Sequence, residues 1–160
     1  LDYEDRLKGQ IPDELWGRAK KMIQQISVVP EGKIAASLQA TAMHDVTEGG
    51  LLGALYEVAE ASGVGVEVEE SLIPIWPETR AICNIFKLDP LKLISSGAML
   101  ITIPDGKKLV AKLKENGIKA AVIGKVTAGK KKVLRRGTGE VEIAKPESDE
   151  LWRVKKMVGK

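Results

Sequence analysis

The residues best suited to chemistry lie in TAMHDVTEGGLLGALYEVAEASGVGVEVEE, residues 41–70. The only histidine, His44, sits beside Asp45, with Thr47 two residues further and Gly49-Gly50 opening an amphipathic run. A strand that ends at His44-Asp45 and turns into a helix at two glycines presents unpaired backbone N–H groups and a positive dipole end to one imidazole and one carboxylate. That combination suits an anion. The glycines permit close backbone approach, Thr47 can cap the helix or touch a phosphate oxygen, and Asp45 can orient His44 or a metal. The same residues also make an ordinary capped strand-to-helix turn, and neither a Walker nor a Rossmann pattern accompanies them.

Ser95-Ser96-Gly97, directly before AMLITIP, is a second small polar turn that can bond phosphate or simply end a helix. Cys83 falls at an apolar spacing from Phe86 in TRAICNIF, which predicts a buried structural thiol rather than a nucleophile. Trp16, Trp76 and Trp152 are scattered and read as packing residues. GKVTAGKKKVLRR carries Lys125, Lys130, Lys131, Lys132, Arg135 and Arg136 with no aromatic residue to stack on a base, so a solvated hairpin surface is expected.

These candidates need elements to position them. Leu15, Ala19, Met22, Ile23 and Ile26 form one helical stripe after Pro12, and EGKIAASLQA is a second helical run. TAMH is short and extended. After Gly50, Leu51, Leu52, Leu55, Val58 and Ala59 repeat at helical spacing as far as the stop at Gly63, and VGVEVEE alternates as a half-buried strand. Prolines 74, 77 and 90 punctuate two short helices, one near residues 78–86 and one near 91–94. AMLITIP predicts a buried strand and DGKKLVAKLKENG a helix. IKAAVIGKV, KKVLRR and GTGEVEIA predict strands, and PESDELWRVKKMV a final helix with its acids first. The order predicts an α+β fold, a mixed β-sheet layered with α-helices.

With 160 residues, 44% hydrophobic and 29% charged, the chain has the composition of one globular domain. Its net charge of +3 implies no global attraction to nucleic acid. No apolar run approaches the roughly 18 residues of a membrane helix, and one cysteine forms no internal disulfide, so a cytoplasmic home is expected. The start at Leu1 and a first 12 residues resembling a tether predict a fragment of a longer protein.

Taken in order, HDVTEGG, the Gly-Val-Gly strand, LDPL, the Ser-Gly turn and IGKV closely resemble the C-terminal domain of the AIR synthase superfamily over about residues 30–145. The branch it most resembles is that of HypE-like hydrogenase maturation factors. The resemblance implies residues 1–29 as a helical lead-in, 30–160 as the AIR synthase-related C-terminal domain, and an N-terminal ATP-binding domain outside this chain. It implies an ATP- and Mg²⁺-using enzyme that activates a carbamoyl, amide or similar oxygen by phosphorylation. The full-length protein would be dimeric, with a hydrogenase maturation protein as partner and no membrane partner. His44 and Asp45 carry over as catalytic residues. Thr47, Gly49, Gly50, Ser95, Ser96 and Gly97 carry over as phosphate- or substrate-binding, and no metal ligand is assigned to this chain. No bound cofactor and no activity are expected of the chain alone.

HypE proper ends in a cysteine that accepts a carbamoyl group and usually places an acid before the glycine of the second turn. This chain ends WRVKKMVGK and has Ser95-Ser96-Gly97 there, which predicts a related enzyme with a different substrate. The competing expectation is a non-catalytic module that binds a nucleotide, nucleic acid or partner protein.

Overall fold

The computed structural model describes residues 4–158, so the outermost residues of the expected tether and of the C-terminal ending lie outside the described residues. Helices α1 (Glu4–Leu7), α2 (Asp13–Lys21), a 3₁₀ turn (Met22–Gln25) and α3 (Val29–Ser37) precede strand β1 (Ala42–Asp45). Then come α4 (Gly50–Ser62), β2 (Gly65–Glu69), a 3₁₀ turn (Glu70–Leu72), α5 (Pro77–Phe86), β3 (Met99–Thr102) and α6 (Gly106–Glu115). Strands β4 (Gly124–Thr127), β5 (Lys132–Arg136) and β6 (Gly139–Glu142) and helix α7 (Glu150–Val158) complete the order.

The α+β class holds, but the strands divide into two sheets rather than one. β1 and β3 pair antiparallel, with His44 opposite Leu100. The second sheet has the order β4-β2-β5-β6, with β2 and β5 parallel and the other pairs antiparallel. Three apolar clusters hold these pieces. α4 packs Ala54, Leu55 and Ala59 against Val66, Val68 and Leu134 of the larger sheet, together with Val46 and Leu91. A second cluster joins Leu7 and Ile11 to Cys83, Phe86, Leu88 and Val154, and a third joins Ala35 to Leu109 and Leu113.

The second cluster corrects the tether reading. Leu7 and Ile11 are 3% and 5% exposed, because residues that looked isolated in sequence cover one side of α5. Three further expectations change. Residues 91–94 are not helical: the Asp89 carboxylate takes the Leu91 N–H at 2.9 Å, and the Leu91 carbonyl accepts from Leu52 of α4. A local Asx contact and a tertiary partner thus remove the groups that a helical turn needs. AMLITIP is only partly buried, since β3 has one strand neighbour and Leu100 is the one buried residue of that strand. In IKAAVIGKV the strand starts only at Gly124, and it runs one residue past the segment as β4, Gly124–Thr127.

Candidate functional site

The two polar turns singled out in the sequence meet at one residue. Val46 donates its N–H to the Ala98 carbonyl at 2.9 Å and accepts from the Ser95 N–H at 3.1 Å, so β1 and the residues before β3 are stitched together beyond their ladder. The Ser95 hydroxyl folds back onto the Leu93 carbonyl at 2.9 Å, and the Ala98 N–H returns to Ser95 at 3.0 Å. Gly97, at φ +97°, packs so closely that a Cβ there would lie 2.3 Å from the Gln25 carbonyl oxygen. That turn is glycine-dependent for packing.

His44 is a partly buried side chain, 27% exposed, held at both ring nitrogens. Nδ1 lies 2.6 Å from the Asp45 carbonyl and Nε2 lies 2.9 Å from the Glu57 carboxylate on α4. Each nitrogen faces an acceptor oxygen, which fixes the ring plane against the first two turns of α4. The Asp45 carboxylate is 3.9 Å from Nδ1 and mostly exposed, so it is free to meet something outside the chain. Glu57 was not legible as a partner from the sequence motif. Its signal is positional, since two helical turns after Gly50 return to the face beside β1.

The start of α4 differs from the anion cradle that the sequence suggests. Gly49 donates its N–H to the buried Asp149 carboxylate at 2.8 Å, Gly50 donates to the Thr47 carbonyl at 3.0 Å, and Leu52 donates to the Leu91 carbonyl. A carboxylate from the C-terminal end of the chain already occupies the positive helix terminus. The same segment grips the turn twice more: the Trp152 indole N–H donates to the Glu48 carboxylate at 2.9 Å, and the Pro146 ring lies 3.0 Å from where a Gly49 Cβ would stand. Trp152 is therefore a half-exposed anchor rather than a core packing residue, and Trp76, beneath the Lys119 ammonium at 4.1 Å, is likewise half exposed.

Thr47 makes no side-chain cap to the helix, contrary to one role expected of it. Its side chain and that of Ser96 are exposed. Both glycines adopt positive φ, +84° at Gly49 and +64° at Gly50, and a Cβ on Gly50 would stand 2.6 Å from the Leu91 oxygen. Close backbone approach is thus used, but towards this chain's own loop.

Among the described residues no group of three or more His, Cys, Asp or Glu side chains is placed to hold a metal ion. Cys83 is buried, and desolvation followed by the nearby Asp89 charge pushes its thiol up to about 11, which suits a packing role. The basic segment is largely neutralised. Arg135 pairs with Glu67, Glu69 and Glu140, Lys125 with Glu67, Lys131 with Glu140, Lys132 with Glu60, and Arg136 with Glu70. Its hydrogen bond to Glu69 raises the Arg135 pKa, and the Lys131 ammonium lowers that of Glu140. That surface has few phosphate-directed cations to offer a nucleic acid.

Residues 11–137 match the family described as AIR synthase related protein, C-terminal domain. A hydrogenase expression/formation protein of Methanocaldococcus jannaschii is 34% identical over 138 residues, covering 84% of this chain and 38% of that protein. The carbamoyl dehydratase HypE of Rhodobacter capsulatus is 35% identical over 99 residues, 59% of this chain and 29% of that protein. The crystal structure of E. coli HypE, a hydrogenase maturation protein, superposes with a TM-score of 0.66 at 28% identity, over 74% of this chain and 40% of that one. The chain thus spans roughly a third of the length of these curated relatives. Among the described residues no helix is long and apolar enough to cross a membrane.

Proposed function

The chain belongs to the AIR synthase-related family, as its C-terminal domain, and from that premise we propose that it is the closing half of a HypE-like ATP-dependent enzyme of hydrogenase maturation. In this reading residues 1–29 lead from an ATP-binding half into the domain of residues 30–160. The complete protein is a dimer that phosphorylates a carbamoyl, amide or similar oxygen. A HypE has been crystallised in complex with ATP, and another as a HypE–HypF complex, which supports a nucleotide and a maturation protein as the ligand and partner to expect.

The observation that carries the reading is the junction at Val46. It ties the turn at residues 44–47 to the turn at residues 95–98, which supports a reading in which exposed Asp45, Thr47 and Ser96 and the braced His44 share one edge that positions a substrate oxygen. Beside that edge Ile23, Ile26 and Val29 are each more than half exposed, and Gly97 packs on Gln25 and Ile26. An apolar surface of this kind flanking a polar edge is suited to burial against the ATP-binding half. Phosphoryl transfer asks mainly for positioning and for stabilised oxygen charge, and no covalent nucleophile is required. In this proposal His44 is oriented by Glu57 and the Asp45 backbone carbonyl, the Asp45 carboxylate is left to meet substrate, and Thr47 and Ser96 offer hydroxyl donors. Gly49, Gly50, Ser95 and Gly97 shape the edge through the chain's own packing. Mg²⁺ ligands are assigned to the other half.

The test is ATP turnover by the full-length protein. Asp45→Asn and Ser96→Ala should lower kcat on the order of 10²-fold without changing the circular dichroism spectrum. An unchanged rate for both variants would remove the edge from the site. Retained partner binding with no role in turnover would favour the non-catalytic module.

A further inference from the structure

On the side of the molecule bounded by β5, α5 and the start of α7 lies an open cleft of about 1080 Å³, separate from the Val46 edge. We infer that this cleft is a binding site for a small phosphate-chain anion, a nucleoside polyphosphate or an inorganic polyphosphate. Nothing in the proposed phosphoryl-transfer reading requires this second site.

The charge distribution carries the inference. Four carboxylates line the cleft, and each is already committed. Glu69 holds Arg135 at 3.0 Å, Glu70 holds Arg136 at 2.6 Å, and Glu150 holds Arg153 at 2.5 Å. Asp89 accepts the Leu91 N–H and lies 3.6 Å from Arg136. The cleft also contains Arg80, Lys87 and Lys92, all exposed and none in an ion pair among the described residues. Six cations against four spent carboxylates leave a positive cleft with three ammonium or guanidinium groups available. Several cations converging on one concavity match the repeated negative charge of a phosphate chain, and Arg80 can grip two of its oxygens at once.

The remaining lining supports a ligand with a body as well as a charge. Ile73, Ile75, Leu88 and Pro90 give the cleft an apolar part. A volume of this order accommodates a nucleotide-sized ligand. Lys87 is held at φ +52° at the end of α5, a left-handed conformation that a non-glycine residue adopts at a cost. Its carrier loop is also firmly tied, since Leu88 N–H bonds the Cys83 carbonyl at 2.9 Å and Glu150 N–H bonds the Lys92 carbonyl at 3.3 Å. Two of the free cations therefore sit on a braced loop between α5 and β3.

Calorimetric titration of the 160-residue chain with inorganic triphosphate, ATP and a hexaglutamate peptide at low and moderate salt tests this. Triphosphate or ATP should bind with salt-sensitive affinity. The variant carrying Arg80→Ala, Lys87→Ala and Lys92→Ala should bind at least about tenfold more weakly. A control carrying Lys33→Ala, Lys107→Ala and Lys114→Ala, an equal change of charge outside the cleft, should bind as the parent does. Tighter binding of ATP than of triphosphate assigns the apolar part to a base, and equal binding assigns the site to the chain itself. No binding at millimolar triphosphate and ATP, equal weakening by the control, or a preference for hexaglutamate overturns the inference. Asp45→Asn should leave triphosphate binding unchanged, so failure of the cleft and failure of the proposed catalytic edge are read independently.

Discussion

Gly50 and Gly63 bound the same helix at nearly the same φ, +64° and +65°, and differ in what surrounds them. An alanine Cβ at Gly50 would stand 2.6 Å from the Leu91 oxygen and 2.8 Å from both the nitrogen and the oxygen of Leu93, whereas at Gly63 it would meet nothing within 4 Å. Both substitutions force an L-residue into the left-handed region, at about 1–2 kcal/mol. Both also lower the entropy of the unfolded chain by similar amounts, so that contribution cancels in the comparison. Gly50→Ala adds a collision with backbone, which has no rotamer by which to retreat, and overpacking of this kind costs about 1–3 kcal/mol more. The difference between the variants should therefore be about 2 kcal/mol, or roughly 6 °C in Tm for a domain of this length. Urea and thermal unfolding of the two variants beside the parent measure it. If they lose the same stability within about 0.5 kcal/mol, the close approach of residues 91–93 to the start of α4 is not what requires glycine at position 50.

Asp149→Ala should cost about 2–4 kcal/mol, since the buried carboxylate accepts from both Gly49 and Leu151 N–H groups at 2.8 Å and its loss leaves both without an acceptor. Asp149→Asn keeps one acceptor oxygen and should cost less, so equal urea midpoints for the two variants would contradict the double role. Cys83 should resist thiol reagents at pH 8 in the native chain and react fully in denaturant, because burial holds its pKa at about 11. The sign for stability follows from the folded value lying above the ordinary 9.0: the native thiol keeps its proton where the unfolded one loses it. Its contribution is full below pH 9 and is lost as pH rises through about 11. Rapid native labelling at pH 8 would refute the burial argument.

What the sequence disclosed is what depends on near neighbours. The stripe of α4, its stop at Gly63 and the alternation of β2 are local periodicities, and the structure has them where the pattern puts them. The C-terminal helix is equally legible. Its purpose is not, because Asp149 meets Gly49 across a separation of 100 residues and Trp152 meets Glu48 across 104. The basic run shows the same limit in reverse: a row of lysines and arginines looks available until β2 and β6 bring glutamates alongside it. The expected helix at residues 91–94 failed for a related reason, since the Leu91 carbonyl is taken by an amide that a local pattern cannot locate.

The filled helix start bears on where an anion can go. A phosphate at the α4 terminus would have to displace a buried carboxylate that accepts two N–H groups and would take its place beside Pro146 and Trp152. Such an exchange exposes as many amides as it satisfies, so the positive end of α4 is already spent on holding α7. The glycine pair is then a joint rather than a cradle. It lets the chain turn from β1 into α4 while the loop at residues 91–93 passes within contact of its backbone. Chemistry offered to an outside ligand has to come from groups the joint leaves free. In the two proposals these are Asp45, Thr47 and Ser96 with the braced His44 in one place, and Arg80, Lys87 and Lys92 in the other. The first set is polar but poor in cations, which makes it suited to a substrate oxygen whose phosphate is neutralised by another part of the protein. The second set is cationic and lacks a histidine, which suits binding without reaction. Removing Asp149 is the change that should reopen the start of α4 to an outside anion.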